Sequence, residues 1–185
     1  VWLRPASNPE RRTRWSAVLV EAPGGRELVS LDTTLPNRLV GEALQKQAMA
    51  ELRDWELVRR EVTMGRSRLD FLLAGPGGRQ MALEVKSVTL VQNGMGLFPD
   101  AVTKRGARHV RELAEIARRP DWAAAVLFVL QRSDARLIRA ARSIDPAFSE
   151  ALEEAKAAGV RVLGRKCGVF KDRVELGDAV PVEVA

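Results

Sequence analysis

The 185 residues suffice for one domain with a real core, or a domain plus a small appendage. With 46% hydrophobic and 29% charged residues the chain reads as globular; its longest apolar run, Ala123 to Leu130, cannot span a bilayer, and one cysteine, Cys167, excludes a disulfide framework and a cysteine-based zinc site. A net charge of +6 attracts polyanions modestly, and the lone cysteine agrees with a reducing cytoplasm. In chain order, Val1-Trp2-Leu3-Arg4-Pro5 reads as the middle of a strand and loop, which suggests part of a longer protein. Trp15 to Glu21 and Arg26 to Leu31 are predicted strands around the turn Ala22-Pro23-Gly24-Gly25.

Pro36-Asn37 opens a predicted helix over Arg38 to Leu52. Strands are predicted over Leu57 to Thr63, Arg66 to Ala74 and Met81 to Leu90, followed by a loop containing Asn93-Gly94. A helix capped by Asp100 then runs to about Arg118, with Val102, Gly106, Val110, Leu113 and Ala117 on one face. Ala123 to Leu130 suits a buried central strand, Pro146 to Ala158 a helix ended by Gly159, and Val160 to Leu163 a strand. The tail alternates through Val169, Val174 and Leu176 and closes on Val180 to Val184. Strands and helices mixed in this order make an α/β fold.

Strand alternation puts Glu84 and Lys86 on one face and Val85 on the other. On the preceding strand Arg66, Arg68 and Asp70 share a face, and Leu69, Phe71 and Leu73 take the other. If the hairpin turn centres on Gly77, opposed residue numbers sum to 154, so that Asp70 faces Glu84 and Arg68 faces Lys86. Carboxylates opposed at about 4.5–5.5 Å between Cβ atoms repel unless a cation intervenes, and hard oxygens suit Mg²⁺ or Mn²⁺. In phosphodiester hydrolysis Asp70 and Glu84, helped by the Val85 carbonyl, would hold the metal. Lys86 would orient the water or stabilise charge, and Arg66 and Arg68 would hold flanking phosphates. The plainer alternative is a solvated face of an antiparallel pair, with Lys86 in a surface ion pair.

These residues resemble the metal-dependent nucleases with a Pro-Asp…(Asp/Glu)-x-Lys motif, here Leu69-Asp70 without the proline and Glu84-Val85-Lys86. More specifically, four stretches resemble the sugar fermentation stimulation protein family: Asn37 to Ala43, Gly65 to Phe71, Glu84 to Leu90, and Phe98-Pro99-Asp100-Ala101-Val102-Thr103-Lys104-Arg105-Gly106-Ala107-Arg108-His109. Arg142 to Pro146 does so as well. The resemblance covers nearly the whole chain in order. It implies a DNA-binding protein linked to bacterial sugar utilisation. It also implies a restriction-endonuclease-like mixed sheet flanked by helices over residues 36–185, preceded over residues 1–35 by the remnant of an OB-like β domain.

Within that resemblance Glu42 is a candidate further metal acid, or a plain helical surface residue. Asp100 reads as a helix cap with a site role left open, and His109 as a packed core histidine whose place in the motif keeps a functional role open. Lys104, Arg105 and Arg108 are candidate phosphate contacts, or a solvated helix face. Trp2, Trp15, Trp55 and Trp122 are expected to pack in the core, with base stacking as the alternative for Trp2 and Trp15 by analogy with OB folds. The leading expectation is a DNA-binding, Mg- or Mn-dependent nuclease centre. The alternatives are an inactive DNA-binding regulator and, last, an enzyme on a small phosphorylated substrate, for which no glycine-rich phosphate loop appears. No membrane partner is expected, and an exposed β remnant would favour a homodimer through strand pairing.

Overall fold

The computed structural model describes all residues except Ser7, Pro9, Arg26, Gly65, Arg66 and Ala185, with the backbone alone at Ser67. Its centre is strand β9 (Trp122–Leu130), whose residues Ala124 to Leu130 are all buried. A strand can be apolar on both sides only when both faces are covered. On one side it pairs in parallel with β6 (Gln80–Val88), on the other in parallel with β11 (Arg161–Val169). Antiparallel partners extend the sheet outward: β5 (Ser67–Ala74) and β4 (Glu56–Met64) beyond β6, and β12 (Val174–Ala179) beyond β11. The fold is therefore mixed α/β, with a six-stranded sheet at its core.

Alternation divides the apolar side chains between two layers. Phe71, Leu73, Leu83, Val85, Ala125, Leu127 and Val129 pack with Val40 and Leu44 of helix α1 (Leu35–Gln45). Ala82, Ala124, Val126 and Phe128 pack on the other face with helices α2 (Lys104–Ala117) and α3 (Pro146–Ala157). Two smaller sheets flank this centre. One holds β1 (Trp2–Pro5), β2 (Trp15–Glu21) and β3 (Leu28–Ser30). The other holds β7 (Leu90–Gln92), β8 (Met95–Phe98), β10 (Leu137–Ala140) and β13 (Val182–Glu183).

Several predicted boundaries move. Helix α1 starts earlier, with Pro36 in its first turn, and stops at Gln45. Gln47 then takes a left-handed conformation (φ 49°), and a 3-10 turn at Ala50–Leu52 carries the chain onward. Asp100 is exposed and does not cap α2; the cap is Thr103, whose hydroxyl accepts from Gly106 N at 3.0 Å. The Asn93-Gly94 stretch is a hairpin turn between β7 and β8, both residues at positive φ (52° and 74°) as an Asn-Gly turn requires. The predicted strand at Val160 to Leu163 is the opening of the longer β11. Trp55 is buried, but Trp15 is 54% exposed and does not join the core.

The β5–β6 hairpin turns through Gly77 and Gly78, both at positive φ (69° and 78°), where a side chain would be strained. Its ladder runs from Ala74↔Gln80 to Phe71↔Leu83, so the numbers sum to 154 as expected. The ladder ends there. Leu69 packs on the α2 side while Phe71 and Leu73 pack on the α1 side, so simple alternation breaks at Asp70. The two strands part exactly where the acidic residues stand, and the expected pairing of Arg68 with Lys86 does not form.

Candidate functional site

Where β5 and β6 part, the Asp70 carboxylate takes over the hydrogen bonding that the ladder gives up. Its Oδ2 accepts from Val85 N at 2.7 Å, and its Oδ1 accepts from Asn37 Nδ2 on α1 at 2.6 Å. Glu84, on the next strand, is 4% exposed. Its Oε1 accepts from Lys86 Nζ at 2.6 Å and meets His109 Nδ1 at 2.7 Å, while its Oε2 is buried with no partner among the described residues. A buried carboxylate oxygen left unanswered is costly.

His109 is itself buried, on the inward face of α2. Arg105 Nε, one helical turn earlier, donates to His109 Nε2 at 3.3 Å. A nitrogen that accepts from a guanidinium carries no proton, so in the neutral ring the proton sits on Nδ1 and is donated to Glu84. Arg105, His109 and Glu84 thus form one chain from the helix surface to the strand.

The site carries more negative charge than it answers. The Asp70 carboxyl is pushed up to about 6, first by burial and then by the Glu84 charge; the bonds from Val85 N–H and Asn37 and the Lys86 charge only partly oppose this. A pair of carboxylates in this state fits a cation of hard, oxygen-seeking character, and the free Glu84 Oε2 offers it a ligand. Among the described residues no group of three or more His, Cys, Asp or Glu stands together as a ready-made metal cage, so a cation held by Asp70 and Glu84 would need further ligands from solvent or substrate.

The comparisons with known proteins agree with one another. The family model for the sugar fermentation stimulation protein RE domain matches residues 34–173. The chain belongs to the sugar fermentation stimulation protein family. It is 47% identical over 184 residues to the homolog from Shouchella clausii and 43% identical over 185 residues to that from Moorella thermoacetica, covering all of this chain and 78% of each relative. The solved structure of Pyrococcus furiosus SfsA in complex with Ca²⁺ superposes with a TM-score of 0.86 at 26% identity, over 98% of this chain and 76% of that one.

In this member of the family the other predicted site residues are dispersed. Glu42 is exposed, and α1 reaches the site through Asn37 instead. The helical period explains this: Asn37, Val40, Gly41 and Leu44 lie on the face toward the sheet and Glu42 does not. Arg68 pairs with Glu61 on the neighbouring strand, both exposed. Arg108 lies 3.9 Å from Glu112, and Lys104 is exposed. Arg105 is turned to His109, and Arg66 lies outside the described residues. Asn37 is the site residue that an acid-based reading of the sequence does not find, although it lies in the stretch Asn37 to Ala43 and the helical period places it on the inward face of α1. Among the described residues no helix is long and apolar enough to cross a membrane.

Proposed function

We propose that the chain is a DNA-binding protein with a metal-dependent nuclease centre at Asp70, Glu84 and Lys86. It would be built on a restriction-endonuclease-like domain over residues 36–185, with residues 1–35 as part of an OB-like unit. One observation carries this reading: two neighbouring carboxylates at the parting of β5 and β6, a buried Glu84 with an unanswered oxygen and a half-buried Asp70 with a raised pKa. Asp70 and Glu84, with the Val85 carbonyl, would hold Mg²⁺ or Mn²⁺. That the Pyrococcus furiosus relative was solved with Ca²⁺, another oxygen-seeking cation, supports the assignment.

When bound, the cation supplies Lewis-acid polarisation of the phosphate and a more acidic attacking water. The chain's own residues do the rest. Asn37 and Val85 N–H hold the Asp70 carboxylate in place. His109 and Lys86 occupy Glu84 Oε1 and leave Oε2 free to coordinate. The Lys86 ammonium, mostly buried beside Glu84, brings the positive charge that steadies an attacking water or the charge of the transition state.

A second reading, a DNA-binding regulator without turnover, is favoured by the bonds already made inside the site: both Asp70 oxygens and the Lys86 ammonium have partners. Incubating single- and double-stranded DNA with Mg²⁺ and Mn²⁺ separates the two. Cleavage by the parent that falls by about 10²-fold or more in Asp70→Ala and Lys86→Ala establishes the nuclease. DNA binding without cleavage in either metal establishes the regulator, and unchanged cleavage in Asp70→Ala removes the site.

A further inference from the structure

Asp70 opens onto a groove of about 470 Å³ whose lining includes Thr34, Asn37, Arg38, Arg60, Asp70 and Phe71. Two of these are arginines that the resemblance does not single out as phosphate contacts. The Arg60 guanidinium lies over the Phe71 ring, 5.6 Å from its centroid, and against helix α1 at Gly41. A Cβ built at Gly41 would overlap that guanidinium. Glycine is a poor residue in the middle of a helix, so its presence here has a structural consequence: it gives the planar head of Arg60 a resting place beside the acidic site. Glu61 also lines the groove; it takes a left-handed conformation (φ 56°) and its charge is answered by Arg68. Among the described residues neither Arg60 nor Arg38 is bonded to a carboxylate, Asp70 included.

We infer that this groove is a phosphate seat, with Arg60 as its fork and Arg38 as a second cation, and that it holds a backbone phosphate of a nucleic-acid strand next to the carboxylate pair. A stacked, pre-positioned guanidinium loses little freedom on gripping two phosphate oxygens, and phosphate contacts of this kind set where a strand lies. The inference rests on the proposed nuclease reading for the owner of the phosphate, not for the seat itself.

The test uses the whole chain and two probes, without metal. The first is inorganic phosphate, followed through the arginine Nε–H NMR signals, with Arg60 assigned by its loss in Arg60→Lys. The second is a labelled single-stranded oligonucleotide, followed by anisotropy across a salt series. Expected are a shift of the Arg60 signal with both probes, and about tenfold weaker oligonucleotide binding in Arg60→Ala. The slope of log affinity against log salt should be reduced by about one. Gly41→Ala should weaken binding while keeping every charge, because only the flexible end of Arg60 has to move; a thermal melt checks that it folds. If the parent binds the oligonucleotide and Arg60→Ala and Gly41→Ala bind it equally well with the same slope, the seat is wrong and the nucleic-acid reading survives. If the oligonucleotide does not bind but phosphate moves the Arg60 signal, the seat stands and the strand is removed as its owner. A silent Arg60 signal with both probes overturns the inference.

Discussion

Glu51 and Asp70 are both carboxylates drawn out of solvent beside the central sheet, and the fold treats them in opposite ways. Glu51, on the 3-10 turn after α1, meets the fork of Arg165 on β11, with Nε at 2.8 Å from one oxygen and Nη2 at 2.7 Å from the other. The third nitrogen of Arg165 donates to the Gly177 carbonyl at 2.8 Å, and Arg161 donates to the Glu51 carbonyl at 2.6 Å. The Arg165 bonds hold the Glu51 carboxyl below its ordinary range. Asp70 is pushed the other way by burial and by Glu84. The first arrangement is closed, each charge answered by its opposite, and it ties α1's exit to the far side of the sheet. The second leaves negative charge and a carboxylate oxygen over. That surplus is what the proposed cation would answer.

Removing one partner from each arrangement should give results of opposite sign. Arg165→Ala leaves Glu51 half-buried and alone, and should lower stability by about 3 kcal/mol in denaturant unfolding. Asp70→Asn removes an unfavourable charge, and should raise the stability of the metal-free chain at pH 7 by about 1–3 kcal/mol. The sign follows from linkage. The folded pKa of about 6 stands above the ordinary 3.8, so folded Asp70 binds its proton more tightly. Its contribution is full below pH 3.8 and is lost as pH rises through 6. Unfolding of the parent followed against pH should show this decline across that window, and Asp70→Asn should not. Added Mg²⁺ or Mn²⁺ should oppose the decline, and metal affinity should fall below about pH 6 as Asp70 takes up its proton.

The arm behind Glu84 is the next test. His109→Ala should weaken Mn²⁺ binding by about 10–100-fold in calorimetry, because Glu84 Oε1 loses a donor and the carboxylate is free to turn. His109→Gln, which can still donate to that oxygen, should recover part of the loss; equal affinities in all three chains would make His109 a packing residue only. The smallest effect concerns Gly41. Gly41→Ala should raise the thermal stability by up to about 1 kcal/mol through helix propensity, even as it displaces Arg60.

Much of this comparison was legible before any coordinates. The apolar run over Ala123 to Leu130 could only be a strand covered on both faces, and it is the centre of the sheet. The hairpin register from Ala74↔Gln80 to Phe71↔Leu83 followed from the position of its glycines; the ladder stops one pair short of the expected Asp70 and Glu84, which remain neighbours. Other features had signals that were not used. Asn93-Gly94 marks a hairpin, and helical spacing puts Asn37 on the inward face of α1 and Glu42 off it. The cap of α2 was misplaced because Asp100 and Thr103 are both good capping residues and only the path of the loop chooses between them.

The sequence by itself determined the α/β class, the order of the elements, the hairpin register and the identity of the acidic pair. These are written in local periodicities and turn residues, whose physics acts over a few positions along the chain. Only the tertiary structure decided that β5 and β6 part at Asp70, that His109 reaches Glu84 from the far layer, and that Arg60 lies over Gly41. It also decided which cations are spent in pairs. Those outcomes depend on side chains from separate elements competing for the same space and the same partners, and that competition is settled only when the layers close.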